Sequence, residues 1–360
     1  MSSIINCLCQ HRHTVCLKTH RSAFIKLLII MIGFSTFMVL SATSCTRTPP
    51  SGDTLVIYAY DSFAGEWGPG PVVIPAFTAA TGIKVELIAA GDAGQVLARV
   101  IDERKKPRAD IIIGIDNHLL SRALEADVLV PYQPANAARV PAELVLDAQW
   151  RLTPFDWSSF AIIWDSERLA IPPTSLEDLT KADYARKLIL MDPRSSTPGL
   201  GFLAWTLAVY GDGMADYWRR LAPTLLTMAP GWDTGYGLFI MGEAPLVISY
   251  TTSPAYHAEY ETAGRYIALE FAEGHPLQIE GVGIIKGTSR RPAAEAFLDF
   301  VLSPQFQEAI PLTNWMYPVI PATALPDSYA HAPKPAHILR IDPADLKGKD
   351  RIALDALTSP

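Results

Sequence analysis

The apolar runs of this 360-residue chain predict an α/β protein built as two units, between which the chain crosses twice. The first observation is the order strand, helix, strand, helix, strand over 55–115, the pattern of a parallel sheet with crossover helices. The second is a run of alternating aromatic and apolar residues at 154–164 that no helix precedes. The third is a later strand-like run at 278–285 that gives the chain a way back. A chain that builds one unit, crosses at 153–165, builds a second and returns at 277–286 accounts for all three.

Each element has its own local reason. The run at 55–60 is apolar, and Pro71 starts a helix through Val72, Val73, Ala76 and Phe77 that stops before Gly82. Alternation at 83–89 predicts a second strand, 93–105 a helix with a basic end, and the continuous apolar run 109–115 a strand buried on both faces. After the crossing, a short strand at 188–191 leads through Asp192-Pro193-Arg194-Ser195-Ser196-Thr197-Pro198-Gly199 into a helix at 200–210, and an aromatic helix follows at 214–221. The stretch 231–257, GWDTGYGLFIMGEAPLVISYTTSPAYH, reads as a short helix, a break at Gly242, a buried strand at 246–249 and an exit of hydroxyls and rings. Strands at 266–271 and 278–285, an amphipathic helix at 292–302, the loop Asn314-Trp315-Met316-Tyr317-Pro318 and a Pro-rich tail after Ala322 follow, with no internal repeat.

Ahead of the fold, residues 1–44 hold Arg12, Lys18, Arg21 and Lys26, no acidic residue, and then an uncharged run over 27–44. Its polar interruptions suit a signal-peptide core better than a membrane span. Ala42-Thr43-Ser44 directly before Cys45 resembles the lipobox of bacterial lipoproteins. Residues 1–44 are therefore expected to be removed, Cys45 to carry lipid as a membrane anchor, and 45–53 to form a polar tether. The other cysteines, Cys7, Cys9 and Cys16, fall in the leader, so the mature chain has no intramolecular disulfide and no thiolate zinc site. Loss of the leader leaves 26 basic against 37 acidic residues, a net charge of −11. Such a body is a poor partner for nucleic acid and a reasonable host for a cation.

In open α/β sheets ligands bind past the carboxyl ends of the strands, which points to the exit Tyr250-Thr251-Thr252-Ser253-Pro254-Ala255-Tyr256. Asp61, Asp92 and Asp116 also follow strands, and each reads either as a ligand contact or as a helix cap. The segment 194–199 places hydroxyls at a helix start, where free N–H groups suit an anion or a hydroxyl. Trp67 and Trp315 lie among Gly, Pro and Asn in loops, where core packing explains less, whereas Trp150, Trp164, Trp205 and Trp218 read as core. His118, His257 and His275 are scattered and read as surface or structural residues, and no HExxH, GxSxG or P-loop pattern is present.

The motifs YAYDSFAGEWGPGPVV, GIDN, MDPRSSTPGLG, GWDTGYGLF, SYTTSPAYH, FAEGH and NWMYPV occur in that order, and with them residues 54–320 resemble the periplasmic thiamine-binding proteins of bacterial ABC importers. The resemblance implies a type II periplasmic-binding-protein fold, with two lobes, 54–155 plus 283–345 and 156–282, joined by two hinge strands. It implies a monomer without cofactor or metal that captures thiamine or its phosphates and delivers it to an ABC permease and, through that, to its ATPase. Tyr60, Trp67, Trp232, Tyr250, Tyr256 and Trp315 then become faces for the thiazolium and pyrimidine rings, since a cation over an aromatic face gains roughly 0.5–2 kcal/mol. Asp92 becomes the contact to the ligand amine, Ser195 and Ser196 contacts to its tail, and Asp61 and Asp116 further contacts. Related lobes occur in ferric-ion and polyamine binders and in thiaminase I. The enzyme would need a cysteine nucleophile, which Cys45, ahead of the first strand, does not supply. A ferric site would want paired tyrosines, and Tyr250 and Tyr256 are interleaved with Thr, Ser and Pro.

Overall fold

A computed structural model describes residues 54–261 and 263–358. The expected signal peptide, the lipidated Cys45 and the tether lie outside them. The chain opens with β1 (Leu55–Ala59), α1 (Asp61–Ala64), α2 (Gly70–Thr81), β2 (Val85–Ala89), α3 (Ala93–Asp102) and β3 (Ile111–Asp116). α4 (Leu120–Glu125) and β4 (Leu129–Val130) lead to the 13-residue β5 (Thr153–Asp165). The second half holds β6 (Leu188–Met191), α5 (Thr197–Tyr210), α6 (Met214–Leu221), β7 (Leu225–Ala229), α7 (Trp232–Ile240), β8 (Leu246–Tyr250), α8 (Ser253–Tyr260) and β9 (Tyr266–Ala268). The 11-residue β10 (His275–Ile285) returns, followed by α9 (Arg291–Val301), α10 (Pro304–Gln307), α11 (Ile310–Thr313), β11 (Tyr317–Pro318), β12 (Ile338–Leu339) and α12 (Lys349–Thr358).

The strand order is β2-β1-β3-β10-β5-β8-β6-β7. Each end of this row is a set of three parallel strands, β2-β1-β3 and β8-β6-β7. Between them β10 and β5 run antiparallel to each other and to their outer neighbours. The early part of β5, Thr153–Ser159, pairs with β10, and its later part, Phe160–Trp164, pairs with β8. One strand therefore serves both lobes, as the two long runs predicted. The inner strands of the parallel sets, β1, β3, β6 and β8, are near-continuously apolar and largely buried, as strands covered on both faces are. In β3 all six residues are buried.

Several elements went unpredicted, among them the short α1, α4, β4, α10, α11 and β12, and also β7 and α12. β7 is an edge strand, half-buried over four of its five residues, so its sequence carries little apolar alternation. α12 follows a Pro-rich stretch and buries only small residues, Ala353 and Ala356, as it packs against α6 and α5. Predicted helix and strand ends differ from the observed ones by up to three residues, as at 93–105, where the helix stops at Asp102, at 266–271, where the strand stops at Ala268, and at the starts of α5 and β10. The four core tryptophans divide: Trp205 and Trp218 are wholly buried, while Trp150 and Trp164 are half-buried at the core's margin.

The lobes' interiors are packed to the point that one helix tolerates no Cβ at its contact with β5. A methyl on Gly201 of α5 would sit 2.2 Å from the Phe160 ring. Alanine gains about 1 kcal/mol over glycine as a helix former. Forcing a methyl into a filled core costs about 1–3 kcal/mol, and Phe160 is fully buried with no room to turn. Gly201→Ala is therefore expected to lower the urea midpoint of unfolding, and a midpoint equal to or above that of the parent would refute the packing argument.

Candidate functional site

A cavity of about 430 Å³ opens where the carboxyl ends of the parallel strands of both lobes face each other. Tyr60 follows β1, Asp92 follows β2, Thr197 follows β6, Trp232 follows β7, and Tyr250 and Ser253 end and follow β8. The 314–316 turn after α11 closes one side with Asn314, Trp315 and Met316. This is where an open α/β sheet binds small ligands.

Seven aromatic side chains line the cavity: Tyr60, Trp67, Trp232, Tyr236, Tyr250, Tyr256 and Trp315. Several are held by partners that fix their planes. Trp232 stacks on Tyr236 with centroids 4.8 Å apart, and its indole N–H donates to Ser249 Oγ at 2.9 Å. Tyr236 in turn bonds His257 Nε2 at 2.8 Å, whose Nδ1 bonds Glu261 at 2.9 Å. Burial lowers His257 below the usual imidazole range, partly offset by Glu261. Trp315 stacks parallel to Tyr329 and meets Tyr256 and Tyr260 edge-on. Its backbone lies at φ 56°, in the left-handed region that bulky residues avoid, at a cost of about 1–3 kcal/mol. Tyr60 lies over β3 only because Gly114 (φ 99°) has no Cβ, which would fall 2.1 Å from the ring. Trp67 stands at the rim, 84% exposed.

The electrostatics are one-sided. Five carboxylates, Glu66, Asp92, Asp233, Glu261 and Glu280, line the cavity, and among the described residues no Lys, Arg or His does. Glu280 on β10 is buried directly opposite Asp156 on β5. Tyr60 Oη donates to Glu280 Oε2 at 2.8 Å, Gln278 Nε2 to Glu280 Oε1 at 2.9 Å, and Asn314 Nδ2 to Asp156 Oδ2 at 2.5 Å. Two like charges roughly 4 Å apart at an effective dielectric near 20 repel by about 4 kcal/mol, so such a pair resists holding two charges. Burial, the charge of Asp116 and that of Asp92 push Glu280 up to about 7. Burial and then Glu280 hold Asp156 well above the carboxylate range. Asp233 is pushed up to about 6 by burial and then by Asp61 and Asp92.

Asp92 has a second task. It caps α3, accepting from Ala93 N at 2.6 Å while Gln95 Oε1 returns a bond to its own N–H, and its other oxygen accepts from Trp232 N, the first residue of α7, at 2.9 Å. It thus reaches from the first lobe to the second. Beside it Gly94 N donates to Ser195 O at 3.0 Å, an approach that a Cβ on Gly94 would block at 2.7 Å. Burial raises Asp92, against the lowering effect of the Ser196 hydroxyl and of the Ala93, Trp232 and Thr197 N–H groups. Ser196 Oγ lies near enough for that effect but makes no hydrogen bond of good geometry, and Thr197 Oγ1 likewise has no partner.

Of the eleven residues named from the sequence, Tyr60, Trp67, Asp92, Trp232, Tyr250, Tyr256 and Trp315 line the cavity. The other four do not. Asp61 is exposed and its carboxylate accepts from Gly91 N at 3.0 Å, tying α1 to the β2–α3 turn. Asp116 is fully buried and accepts from His118 N, Leu119 N and His118 Nδ1, so the capping alternative holds for it. Ser195 donates to Pro230 O at 2.6 Å, and Ser196 is buried next in sequence to Thr197, which does line the cavity. His118, His257 and His275 are all buried with hydrogen-bond partners, the structural reading. Sequence reasoning missed Glu280, Asp156 and Asn314. The available signal for the two acids was a lone charge inside each of two otherwise uncharged crossing runs, PFDWSSF and LQIEGVG.

The family of bacterial extracellular solute-binding proteins matches residues 106–349. The chain is 42% identical over 303 residues to the thiamine-binding periplasmic protein of Escherichia coli (strain K12), covering 84% of this chain and 91% of that one. It is 40% identical over 327 residues to the thiamine-binding periplasmic protein of Brucella suis biovar 1 (strain 1330), covering 90% and 96%. A solved periplasmic thiamin binding protein superposes with a TM-score of 0.80 at 39% identity, covering 86% of this chain and 99% of that one. The ferric binding protein from Campylobacter jejuni shares the fold with a TM-score of 0.70 at 20% identity. A two-lobed α/β fold, a ligand-sized cleft between the carboxyl ends of its sheets and a match over most of its length place this chain in the bacterial extracellular solute-binding protein family.

Proposed function

We propose that this chain captures thiamine outside the cytoplasmic membrane and delivers it to an ABC importer. The observation that carries the reading is the cavity lining, seven aromatic faces and five carboxylates with no basic side chain among the described residues. Thiamine has a permanent thiazolium charge, a flat aminopyrimidine and a polar tail, and the lining complements the first two. The 40–42% identity to thiamine-binding periplasmic proteins supports the same ligand. The chain binds without turnover: its four cysteines all lie at or before Cys45, so a cysteine nucleophile in the cleft has no candidate. Trp232 and Trp315 hold the cationic ring system. The tail lies toward the start of α5, where Ser196 and Thr197 offer unpartnered hydroxyls to a hydroxyl or phosphate. The lobes close about β5 and β10 as a hinge and present a loaded face to the permease. The mature chain is a monomer held to the membrane by lipid on Cys45.

Calorimetry on Trp315→Ala and Ser196→Ala with thiamine and thiamine monophosphate separates the two ends of the ligand. Trp315→Ala is expected to weaken both ligands alike, by about 1–3 kcal/mol once lost apolar contact is included. Ser196→Ala is expected to penalise the monophosphate more than thiamine, by about 1 kcal/mol for a charge-assisted hydrogen bond. Equal loss for both ligands in Ser196→Ala would move the tail away from α5.

Anchoring is checked by fractionating cells that express the full chain or Cys45→Ala. The parent is expected in the membrane fraction and the variant released, with thiamine affinity unchanged in the purified proteins. A processed parent chain that is not membrane-bound would overturn the lipid anchor and leave the binding reading in place.

A further inference from the structure

The acids beneath the aromatic walls lie where the two long strands cross. Asp156 and Glu280 are opposed residues of β5 and β10, 0% and 5% exposed. Glu280 lines the cavity, and Asp156, its partner across the strand pair, does not. Among the described residues no cationic side chain bonds to either. The partners they have are Tyr60, Gln278 and Asn314, all neutral, and Asp156 Oδ1 and Gln278 Oε1 are buried with none.

The groups that face the pair from the surrounding elements are acids and phenols. β3 supplies Asp116, backed by His118, and the start of α3 supplies Asp92. Tyr60 follows β1, Tyr250 ends β8, β11 brings Tyr317 alongside β5, and Tyr329 lies in the turn at 327–331. Nothing in this shell neutralises two negative charges. In the empty cleft a proton can remove one of the two charges, and a cation that enters can offset one in its place. Asn314 touches both carboxyls and Tyr60 Oη, so the state of the pair is felt by the turn that carries Trp315.

We propose that Asp156 and Glu280 are the cation-selecting floor of the cleft, holding one proton between them when it is empty and releasing that proton when a permanent cation is captured. The proposal rests on the thiamine reading. The exchange is balanced: the ligand brings one positive charge that cannot be lost, and one proton leaves through Glu280, the member of the pair in contact with the cavity, to water. No covalent bond to the ligand forms or breaks. The pair therefore distinguishes a fixed cation from a neutral molecule of the same shape.

Linkage sets the direction. If binding releases one proton, affinity rises about tenfold per pH unit while the empty pair is still protonated. It levels off above the point at which the empty pair ionises, near the pH of about 7 to which Glu280 is pushed. The test is titration calorimetry of the full mature protein with thiamine, in two buffers of different ionisation heat, from above the range where the aminopyrimidine titrates up to pH 8. An infrared spectrum of the ligand-free protein read for the C=O stretch of a protonated carboxyl accompanies it. The parent is expected to release about one proton per thiamine below pH 7, and to show a carboxyl band that thiamine abolishes. Glu280→Gln is expected to lose the band and the proton release, to flatten the pH profile, and to bind at least about tenfold more weakly at pH 8. Asp156→Asn should do the same to band and proton count. Should either variant fail to fold, the parent's proton count and band decide alone. Thiamine binding with no proton released and a flat profile would overturn the inference and leave the proposed function standing. So would proton release that survives both substitutions. Absence of any thiamine heat would overturn the proposed function, and in that case the band in the ligand-free protein still decides whether the pair holds its proton.

Discussion

β5 pairs with β10 through its first half and with β8 through its second, so a single strand is a member of both sheets. Every feature of the cleft follows from that arrangement. Because β10 runs antiparallel between β3 and β5, the carboxyl ends of the two parallel sets are brought face to face rather than left on opposite sides of the molecule. The loops that follow those ends are then shared between lobes, and a residue such as Asp92 can cap α3 in one lobe while accepting a bond from the first N–H of α7 in the other. Backbone hydrogen bonds along the crossing are satisfied inside the sheet, which leaves the side chains free to set the chemistry of the floor.

Those side chains set a sign. A cleft of aromatic faces alone would hold any flat ring by burial, at roughly 25 cal/mol per Å². The carboxylates make it selective, and the lack of basic side chains in the lining, among the described residues, keeps them uncompensated. Raised positions for Glu280, Asp156, Asp92 and Asp233 have a common first cause in burial. The cost of desolvating each charge is borne by the fold and relieved when a cation arrives, which is how binding energy becomes discrimination. The left-handed backbone of Trp315 points the same way, since a bulky residue keeps such a conformation only where its neighbours over-determine it.

The order of elements, the two long crossings and the aromatic faces were legible from residue pattern. Strand runs at 55–60 and 109–115 are apolar because both faces of a parallel sheet are covered, and that burial is written into the residues themselves. Trp67 and Trp315 stood out because rings in Gly- and Pro-rich loops have no local packing to explain them, Tyr250 and Tyr256 because they lie in a polar exit past a strand, and Tyr60 and Trp232 through the motifs that carry the family resemblance. β7 and α12 did not stand out, one being an edge strand and the other burying little more than two alanines.

The acids needed three dimensions. Asp61, Asp92 and Asp116 look alike in sequence, each following a strand, yet one caps and pairs with His118, one ties a turn, and one bridges two lobes at the cavity wall. Which of these happens is set by what the rest of the chain places opposite the carboxylate, and that partner is up to 140 residues away. Glu280 and Asp156 are 124 positions apart in the chain and adjacent in the sheet. The residues themselves fixed what kind of strand each would form, because burial is a local cost repeated along a run. Register between distant strands is a property of the whole sheet, so only the folded chain could set the two carboxyls side by side beneath the ligand's place.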